Sequence, residues 1–508
     1  MREQQLSDAP APEAPRQAAE TPEQTTRGAF AGEGTWRRWC WLRHWEFWLA
    51  LALGAFLRLW QIGTTQFLDD QTGLYALARA GVLHHVIPLT GIPSSIQSLN
   101  PPLSVYLLMP FAAITPNPLP AVVTLALWNV AGVALCYIFA LRYFGRRVAA
   151  VGTLLFATGG SALNFSRFLW QQNYLPPLLV LWAFTLYLGA VRGKRPWLAG
   201  NILLLVLAVQ LHPTAVLLAP VTLAGILLAP RLPRVREYVI AAIGTLLLFV
   251  PTAIFEWNSR GYDLHKLGHY LLHGGRFNLD VFRVLWGALD GPGSADLGPT
   301  TPYANVHRWY FFITWCVVIL VITGWAVLTV RVVAPVLAIW RSVAPDPARL
   351  PRRLMNGAIA VWRGVRADST WRAQFLLWFW VTLPPATMLH NAGRIFTHYL
   401  LVIFPSLFIA GGFGVDWLLT RFAIRPIHHT HPAALRQRIV PALALVVIVV
   451  AVAGEGARMF LYPTTLATGN FLAYYTYGYP LDEMLTLDGQ LTTLNGSKAP
   501  PRRTSLRR

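Results

Sequence analysis

Two acidic residues stand side by side just after the first long apolar stretch of this chain. Asp69 and Asp70 lie in the segment FLDDQTGLYALARAG, and the segment NPPLSVYLL follows at Asn100 to Leu108. Carboxylates at a membrane–water boundary are costly to hold partly desolvated, so such a pair indicates a functional site. A carboxylate can take the proton from an acceptor hydroxyl while an Arg or a His stabilises a departing phosphate. The pair therefore predicts acid–base chemistry at one membrane surface.

The composition places these acids in a membrane protein. Of the 508 residues, 55% are hydrophobic and only 13% are charged, whereas about a quarter of the residues of a soluble domain are charged. Apolar stretches long enough to cross about 30 Å of hydrocarbon as helices recur along the chain. We predict an all-α, polytopic integral membrane protein. Its transmembrane helices, about eleven in number, lie near residues 46–63, 121–141, 148–165, 174–191, 196–211, 213–230, 238–255, 309–330, 373–389, 398–420 and 439–454.

The positive charge indicates how the chain is oriented. The net charge is +20, and the Arg residues fall in loops between alternate spans, where they act as topology signals and not as a nucleic-acid surface. We therefore expect a cell-membrane protein with a cytoplasmic N-terminus and an exoplasmic C-terminus. The loops assigned to the cytoplasm are Arg142 to Arg147, Arg192 to Arg195, Arg231 to Arg236, Arg331 to Arg372 and Arg421 to Arg438.

The same features predict three regions. The N-terminal residues are rich in Ala, Pro, Glu, Gln and Thr, so residues 1–43 are expected to form a disordered cytoplasmic tail and not a signal peptide. Residues 44–456 form the transmembrane catalytic domain, with exoplasmic loops at 64–120 and 256–308. Residues 457–508 form a short exoplasmic C-terminal segment.

With this topology, polar residues from separate helix ends fall on the exoplasmic face. Acids, arginines and imidazoles that converge on one surface indicate a site, although polar residues at helix ends also cap helices. The residues on this face are Asp69, Asp70, Asn100, Asn164, Arg167, Gln171, Gln172, Asn173, His212, His390, Asn391, Arg394 and His398.

The sequence favours a lipid as the donor of any transferred group. It contains no Gly-rich phosphate loop and no strand–GxGxxG–helix unit. Its extramembrane segments are too short for a nucleotide-binding α/β domain, which needs about a hundred residues or more. A donor that reaches an exoplasmic site is therefore expected to be lipid-linked and not a soluble nucleotide sugar.

Several segments resemble those of the GT-C superfamily of membrane glycosyltransferases, in the branch of protein O-mannosyltransferases, aminoarabinose transferases and bacterial lipid-carrier-dependent enzymes. The FLDDQ segment ending at Gly81 resembles the first exoplasmic loop, whose acid opens an interfacial helix. Asn100 to Leu108 resembles the PPL-x-YLL element that ends this loop. Ser166 to Pro177 resembles the Arg-containing loop after the third span. Gln210 to Ala215 resembles the QLH element after the fifth span, and His398 to Pro405 resembles a late segment with a Pro in the helix.

The resemblance implies a GT-C-like fold with interfacial helices in the first exoplasmic loop. It also implies transfer of a sugar from a polyprenyl-phosphate-linked donor to an exoplasmic glycan, lipid or protein. Asp70 would be the general base, and Asp69 would tune or orient it, or the two would exchange roles. Gln71 departs from the aminoarabinose transferases, so lipid A modification is less expected. The candidates for holding the donor phosphate and lipid are Arg167, His212, Arg394 and His398. The further substrate-site candidates are Asn100, Gln171, Asn173 and His390.

Other clusters have competing interpretations. His265, His269 and His273 follow one another at i, i+4 and i+8, which suits either a divalent metal such as zinc or the polar side of an interfacial helix, and the second is favoured. No cofactor is certain, and metal dependence stays open. A solvated loop is favoured for His428, His429 and His431, and membrane anchoring over sugar stacking for Tyr474, Tyr475, Tyr477 and Tyr479.

A transporter or flippase of lipid-linked saccharides is the alternative function. Such a protein is expected to carry polar or broken helices near the middle of the membrane. Here the candidate polar residues lie at helix ends. Arg58, in the last turns of the first span, is expected to reach the interface with its long side chain. The sugar and the acceptor stay open at this stage.

Overall fold

Helices form almost all of the secondary structure. The computed structural model describes residues 40–94, 97–272, 275–291, 302–342, 350–391, 393–422, 432–468 and 480–486. The α-helices are α1 (Trp45–Leu59), α2 (Asp69–Leu83), α3 (Leu103–Ile114), α4 (Leu119–Phe144), α5 (Arg146–Thr158), α6 (Gly160–Asn164), α7 (Leu175–Ala190), α8 (Pro196–Leu211), α9 (Ala219–Leu228), α10 (Val235–Asn258), α11 (Tyr262–Leu272), α12 (Asp280–Leu289), α13 (Pro302–Ser342), α14 (Leu350–Ala367), α15 (Ser369–Met388), α16 (Phe404–Arg421) and α17 (Pro432–Ala467). In the described part the only sheet is an antiparallel pair, β1 (Arg276–Phe277) and β2 (His390–Asn391).

The chain divides into two units, Met1–Trp45 and Glu46–Arg508. The smaller unit is described only from residue 40 onward, where Cys40–Arg43 forms a 3₁₀ turn. Most of the predicted N-terminal tail therefore lies outside the described residues. The second unit contains every feature discussed below.

The predicted all-α, multi-pass class is confirmed. Each apolar segment predicted from the sequence is largely helical, although the segment 148–165 is divided between α5 and α6. Among the described residues, the helices that are long and apolar enough to cross a membrane lie at Leu119–Phe144, Gln171–Ala190, Val235–Asn258, Trp309–Ser342, Thr397–Arg421 and Ile439–Ala467. Shorter apolar helices lie at Leu103–Ile114, Pro196–Leu211 and Pro213–Leu228.

Three of the apolar helices begin with a 3₁₀ turn, and these turns meet. The turns are Gln171–Tyr174 before α7, Pro213–Leu218 before α9 and Thr397–Ile403 before α16. Each of the three helices has a proline in one of its first two positions, where the missing N–H leaves no bond unmade and the fixed φ suits a helix start. The Thr397–Ile403 turn contacts the other two. Three distant parts of the sequence are thus brought together at one end of the bundle.

Helix α16 forms the centre of the bundle because glycines let its neighbours approach closely. A Cβ on Gly324 of α13 would overlap the carbonyl oxygen of Ala410. A Cβ on Gly412 would likewise meet the backbone of Val148 in α5. Every residue from Phe404 to Val415 is buried as a result. The segment that leads into α16 is therefore held against a rigid support.

Arg58 does not reach the interface, so that expectation is wrong. Its side chain is fully buried. The guanidinium donates hydrogen bonds to the carbonyl oxygens of Ala157 at 2.9 Å and Phe156 at 3.4 Å. These carbonyls belong to the last turn of α5, where the helix breaks at Gly159 and leaves them without N–H partners in the helix. Arg58 therefore closes the end of a broken helix.

A buried ionic cluster joins α17 to the end of α12. Arg458 of α17 forms an ion pair with Asp290, which follows α12, and lies 3.6 Å from the carboxylate of Glu455. Thr314 of α13 donates a hydrogen bond to Asp290 at 3.0 Å, and the Arg458 guanidinium lies 4.1 Å from the centre of the Tyr310 ring. The sequence analysis did not find this cluster, because its members are far apart along the chain.

Removal of the Arg458 guanidinium should destabilise the protein strongly. Breaking a buried ion pair from one side leaves an uncompensated buried charge, so Arg458→Ala should cost about 3–5 kcal/mol. Arg283→Ala is the control, because Arg283 pairs with Asp280 at 3.6 Å on the surface of α12 and an exposed pair contributes about 0–1 kcal/mol. Thermal unfolding in detergent should separate the two variants. Equal losses would show that the buried pair adds no more stability than the exposed pair.

Candidate active site

The acid pair opens an amphipathic helix. Asp69 and Asp70 occupy the first turn of α2, where the positive end of the helix dipole favours negative charge. The Gln71 side chain accepts a hydrogen bond from the backbone N–H of Leu68 at 2.8 Å and fixes the start of the helix. Leu74 and other apolar residues of α2 pack against α3. The predicted element that presents the two acids is therefore present, and both are exposed.

The Asp70 carboxylate has a raised pKa. Although the residue as a whole is exposed, partial burial of its carboxylate raises its pKa above the ordinary value, and the charge of Asp69 raises it further. A hydrogen bond from the Trp170 side chain lowers the pKa and offsets part of this rise. A carboxylate whose pKa lies closer to the working pH accepts a proton more effectively.

Aromatic rings connect Asp70 to the basic residues. Trp170 interacts with the Asp70 side chain, and the centre of its indole lies 4.6 Å from that of the His398 imidazole. His398 lies 5.7 Å from His212 and 5.5 Å from Phe396, measured between ring centres. The guanidinium of Arg394 lies over the Phe396 ring at 5.3 Å. The structure thus brings Asp70, His212, Arg394 and His398 into one connected group.

His212 is held as a neutral imidazole. It caps the Pro213–Leu218 turn, with Nδ1 2.7 Å from the Thr214 hydroxyl oxygen and 3.4 Å from the Thr214 backbone nitrogen. Burial lowers its pKa to about 4. Because the Thr214 N–H donates to Nδ1, we assign the proton of the neutral ring to Nε2. His212 can therefore offer a hydrogen bond to a substrate oxygen, but it carries no charge at neutral pH.

Arg167 is occupied by backbone carbonyls, which favours a structural role over the predicted phosphate contact. Its guanidinium donates hydrogen bonds to the carbonyl oxygens of Leu57 at 2.6 Å, Arg58 at 3.1 Å and Gln61 at 2.9 Å. These carbonyls lie at the C-terminal end of α1 and just beyond it. Arg394, in contrast, is exposed, which leaves it the better candidate for a phosphate.

The amide candidates also lie in structural positions. Asn100 is buried, and its side chain donates to the Ile92 carbonyl oxygen at 2.9 Å, which closes the loop before α3. The Asn173 amide donates to the Phe168 carbonyl oxygen at 2.8 Å. Gln171 is buried beside it in the same 3₁₀ turn. His390 is exposed in β2, paired with Phe277. Asn100 and Asn173 therefore shape the loop and the turn, whereas His390 remains open to an acceptor.

Sequence reasoning missed the aromatic residues of the site. Trp170, Phe396 and Tyr399 surround His398, and Tyr399 lies 4.6 Å from it between ring centres. The chain has 21 Trp, 17 Tyr and 26 Phe, so aromatic side chains at a membrane boundary do not stand out by type. The position of Trp170 directly before the Gln171–Tyr174 turn was the available clue.

Within the described residues no group of three or more His, Cys, Asp and Glu could hold a metal ion. His265 and His269 lie on α11, and the His265 ring is 2.6 Å from the Gly261 carbonyl oxygen. His273, the three histidines from His428 to His431 and the tyrosines from Tyr474 to Tyr479 lie outside the described residues. Those interpretations stay predictions.

Solved structures of two kinds resemble this chain at low sequence identity. No family model and no curated protein matches it. It is 14% identical to ArnT from Cupriavidus metallidurans bound to undecaprenyl phosphate, with a TM-score of 0.46 over 90% of this chain and 80% of that one. The structure of the same protein in the apo state is also 14% identical, with a TM-score of 0.45 over 90% of this chain and 80% of that one. The Archaeoglobus fulgidus oligosaccharyltransferase tethered with an acceptor peptide is 13% identical to this chain. Its TM-score is 0.44, over 92% of this chain and 60% of that one.

These neighbours belong to the GT-C superfamily, which the sequence motifs also resemble. TM-scores below 0.5 at this identity carry no conclusion about what the present chain binds or catalyses. Its function has to be inferred from its own residues.

The charge of Asp69 should be visible in the pH dependence of activity. If Asp70 acts as a base, activity falls at low pH as Asp70 becomes protonated. Because Asp69 raises the pKa of Asp70, Asp69→Asn should lower that pKa and move the acidic limb of the rate profile to lower pH. Asp69→Glu keeps the charge and should leave the limb near its original position. A limb that stays fixed in Asp69→Asn would show that Asp70 is not the titrating group.

Proposed function

We propose that this chain is a glycosyltransferase that moves a sugar from a polyprenyl-phosphate carrier to an acceptor on the exoplasmic side of the cell membrane. The observation that carries the proposal is the connected group of Asp70, Trp170, His398, His212 and Arg394. A carboxylate with a raised pKa lies in it together with a cation and the neutral imidazole of His212. The carboxylate can accept a proton, and the cation and the imidazole can stabilise a departing phosphate. The proposed reaction requires both functions in one place.

The reaction that fits is a displacement at the anomeric carbon of the donor. Asp70 accepts the proton of the acceptor hydroxyl, and the acceptor oxygen forms a bond to the anomeric carbon. The bond between that carbon and the phosphate oxygen breaks, and the polyprenyl phosphate leaves with the electron pair. Arg394 stabilises the charge that develops on the phosphate, and the Nε2–H of His212 donates a hydrogen bond to it. Asp69 keeps the pKa of Asp70 raised.

Asp70→Asn should abolish transfer and leave the fold intact. The amide has the size of the carboxylate but cannot accept the proton, so transfer should fall by about 10²-fold or more. The glycan that disappears from cells lacking this protein identifies the product. The amount of that glycan restored by each variant measures the activity of the variant. Purified protein in lipid, supplied with the corresponding polyprenyl-phosphate sugar, then gives the rate.

Asp280→Asn is the matched control, because Asp280 is also a first-turn acid, at the start of α12. It should retain normal transfer. Near-normal turnover by Asp70→Asn would end the assignment of the base. Transfer that persists in the double variant of Asp69 and Asp70 would end the proposed mechanism. A flippase would instead keep moving the lipid-linked sugar across vesicles in both variants.

Two arginines should respond differently to truncation. Arg394→Ala removes an exposed cation and should weaken binding of polyprenyl phosphate by about tenfold or more, because a charge-assisted hydrogen bond contributes about 1.5–3 kcal/mol. Its thermal stability should be unchanged. Arg167→Ala leaves the carbonyls at the end of α1 without donors, so it should lower stability. Tryptophan quenching or calorimetry with polyprenyl phosphate measures the first effect. Unchanged affinity in Arg394→Ala would exclude it as the phosphate ligand.

A further inference from the structure

Helix α14 is a basic helix placed between two long apolar helices. It follows α13 and precedes α15, and its sequence LPRRLMNGAIAVWRGVRA holds four Arg and no acid. In the sequence, these arginines indicate only the cytoplasmic side of the membrane. The structure shows what the rest of the helix does.

One face of α14 packs against the protein. Gly357 lies against the ring of Trp340, and Gly364 against Ile339, so both glycines allow close contact with α13. Val365 is buried in a cluster with Leu228 and Val332. Arg366 donates hydrogen bonds to the Ala229 carbonyl oxygen at the end of α9. These contacts fix α14 against α13 and the end of α9.

A second apolar face of α14 is not covered by the described protein. Met355, Ile359 and Trp362 are 57%, 40% and 40% exposed. Their spacing of four and then three residues places them on one side of the helix. Exposed Arg363 follows Trp362 directly. A helix with a large apolar face, a Trp and flanking arginines is typical of the membrane interface.

We propose that α14 lies in the headgroup layer of the cytoplasmic leaflet and binds anionic phospholipids. Met355, Ile359 and Trp362 enter the acyl boundary, and Arg363 contacts the lipid phosphates, while the other arginines of the helix add positive charge. Charge decides the occupant: four arginines without an acid complement an anionic surface, whereas a neutral apolar partner would not need them. The helix is already fixed against α13 and α9, so it binds lipid without an ordering cost of its own. The proposal does not depend on the glycosyltransferase activity.

The depth of α14 in the membrane can be measured with a fluorophore attached to the full-length protein. Met355→Cys labelled with NBD, in a background with Cys40→Ser, should show blue-shifted emission in phosphatidylcholine–phosphatidylglycerol vesicles and quenching by brominated lipids. Cys136 and Cys316 are buried. Asn356→Cys is the control, because Asn356 is exposed one position further round the helix; it should be quenched less. Water-like emission from the label of the Met355→Cys variant would overturn the placement and point to a protein partner or bulk solvent.

Lipid preference is measured by electron paramagnetic resonance with spin-labelled lipids. The triple variant of Arg352, Arg353 and Arg363 to Gln should lower the preference for phosphatidylglycerol over phosphatidylcholine by about twofold or more. Arg366 is left in place because it holds α9. The control changes Arg231, Arg234 and Arg236 to Gln, which removes the same charge from another loop assigned to the cytoplasm. An equal fall in both triple variants would reduce the effect to net charge and overturn a specific role for α14.

Discussion

Carbonyl groups at helix ends are the constraint on which this structure depends. Inside a bilayer, a backbone oxygen without a donor is costly, and every helix leaves its last carbonyls without N–H partners. Four arginines supply donors at such ends. Their guanidinium groups bond to carbonyls at the end of α1 from Arg167, of α5 from Arg58, of α7 from Arg372 and of α9 from Arg366. Helices can therefore stop and restart within the bundle, which a purely apolar core would not permit.

The candidate site depends on these interruptions. The turns that precede α7, α9 and α16 carry or adjoin Trp170, His212 and His398. A continuous helix would space such side chains along a lipid-facing or buried stripe. A short 3₁₀ turn instead brings them to the end of the bundle, where a carboxylate from α2 can meet them. Arg167 holds the end of α1 in place ahead of the acid pair.

Hydropathy was enough to predict the helices, because length and apolar content alone decide which segments can cross a bilayer. The acid pair was also predictable, since adjacent carboxylates at a boundary are rare. The partners of arginines were not predictable. Arg167, Arg58 and Arg394 look alike in sequence, but the first two bond to carbonyls of distant helices and the third is exposed. Such contacts depend on tertiary packing and leave no local pattern. The Asp290–Arg458 pair escaped notice for the same reason.

The candidate site combines a cation, Arg394, with a neutral imidazole, His212, and this combination suits the proposed chemistry. A second cation buried beside Arg394 would bind the phosphate product as tightly as the transition state and would slow its release. A neutral His212 avoids this, because its hydrogen bond strengthens as charge develops on the phosphate and weakens when the product leaves. Burial holds the pKa of His212 near 4 and also raises the pKa of Asp70. In the proposed mechanism, desolvation therefore suits both the base and the group that donates a hydrogen bond to the phosphate.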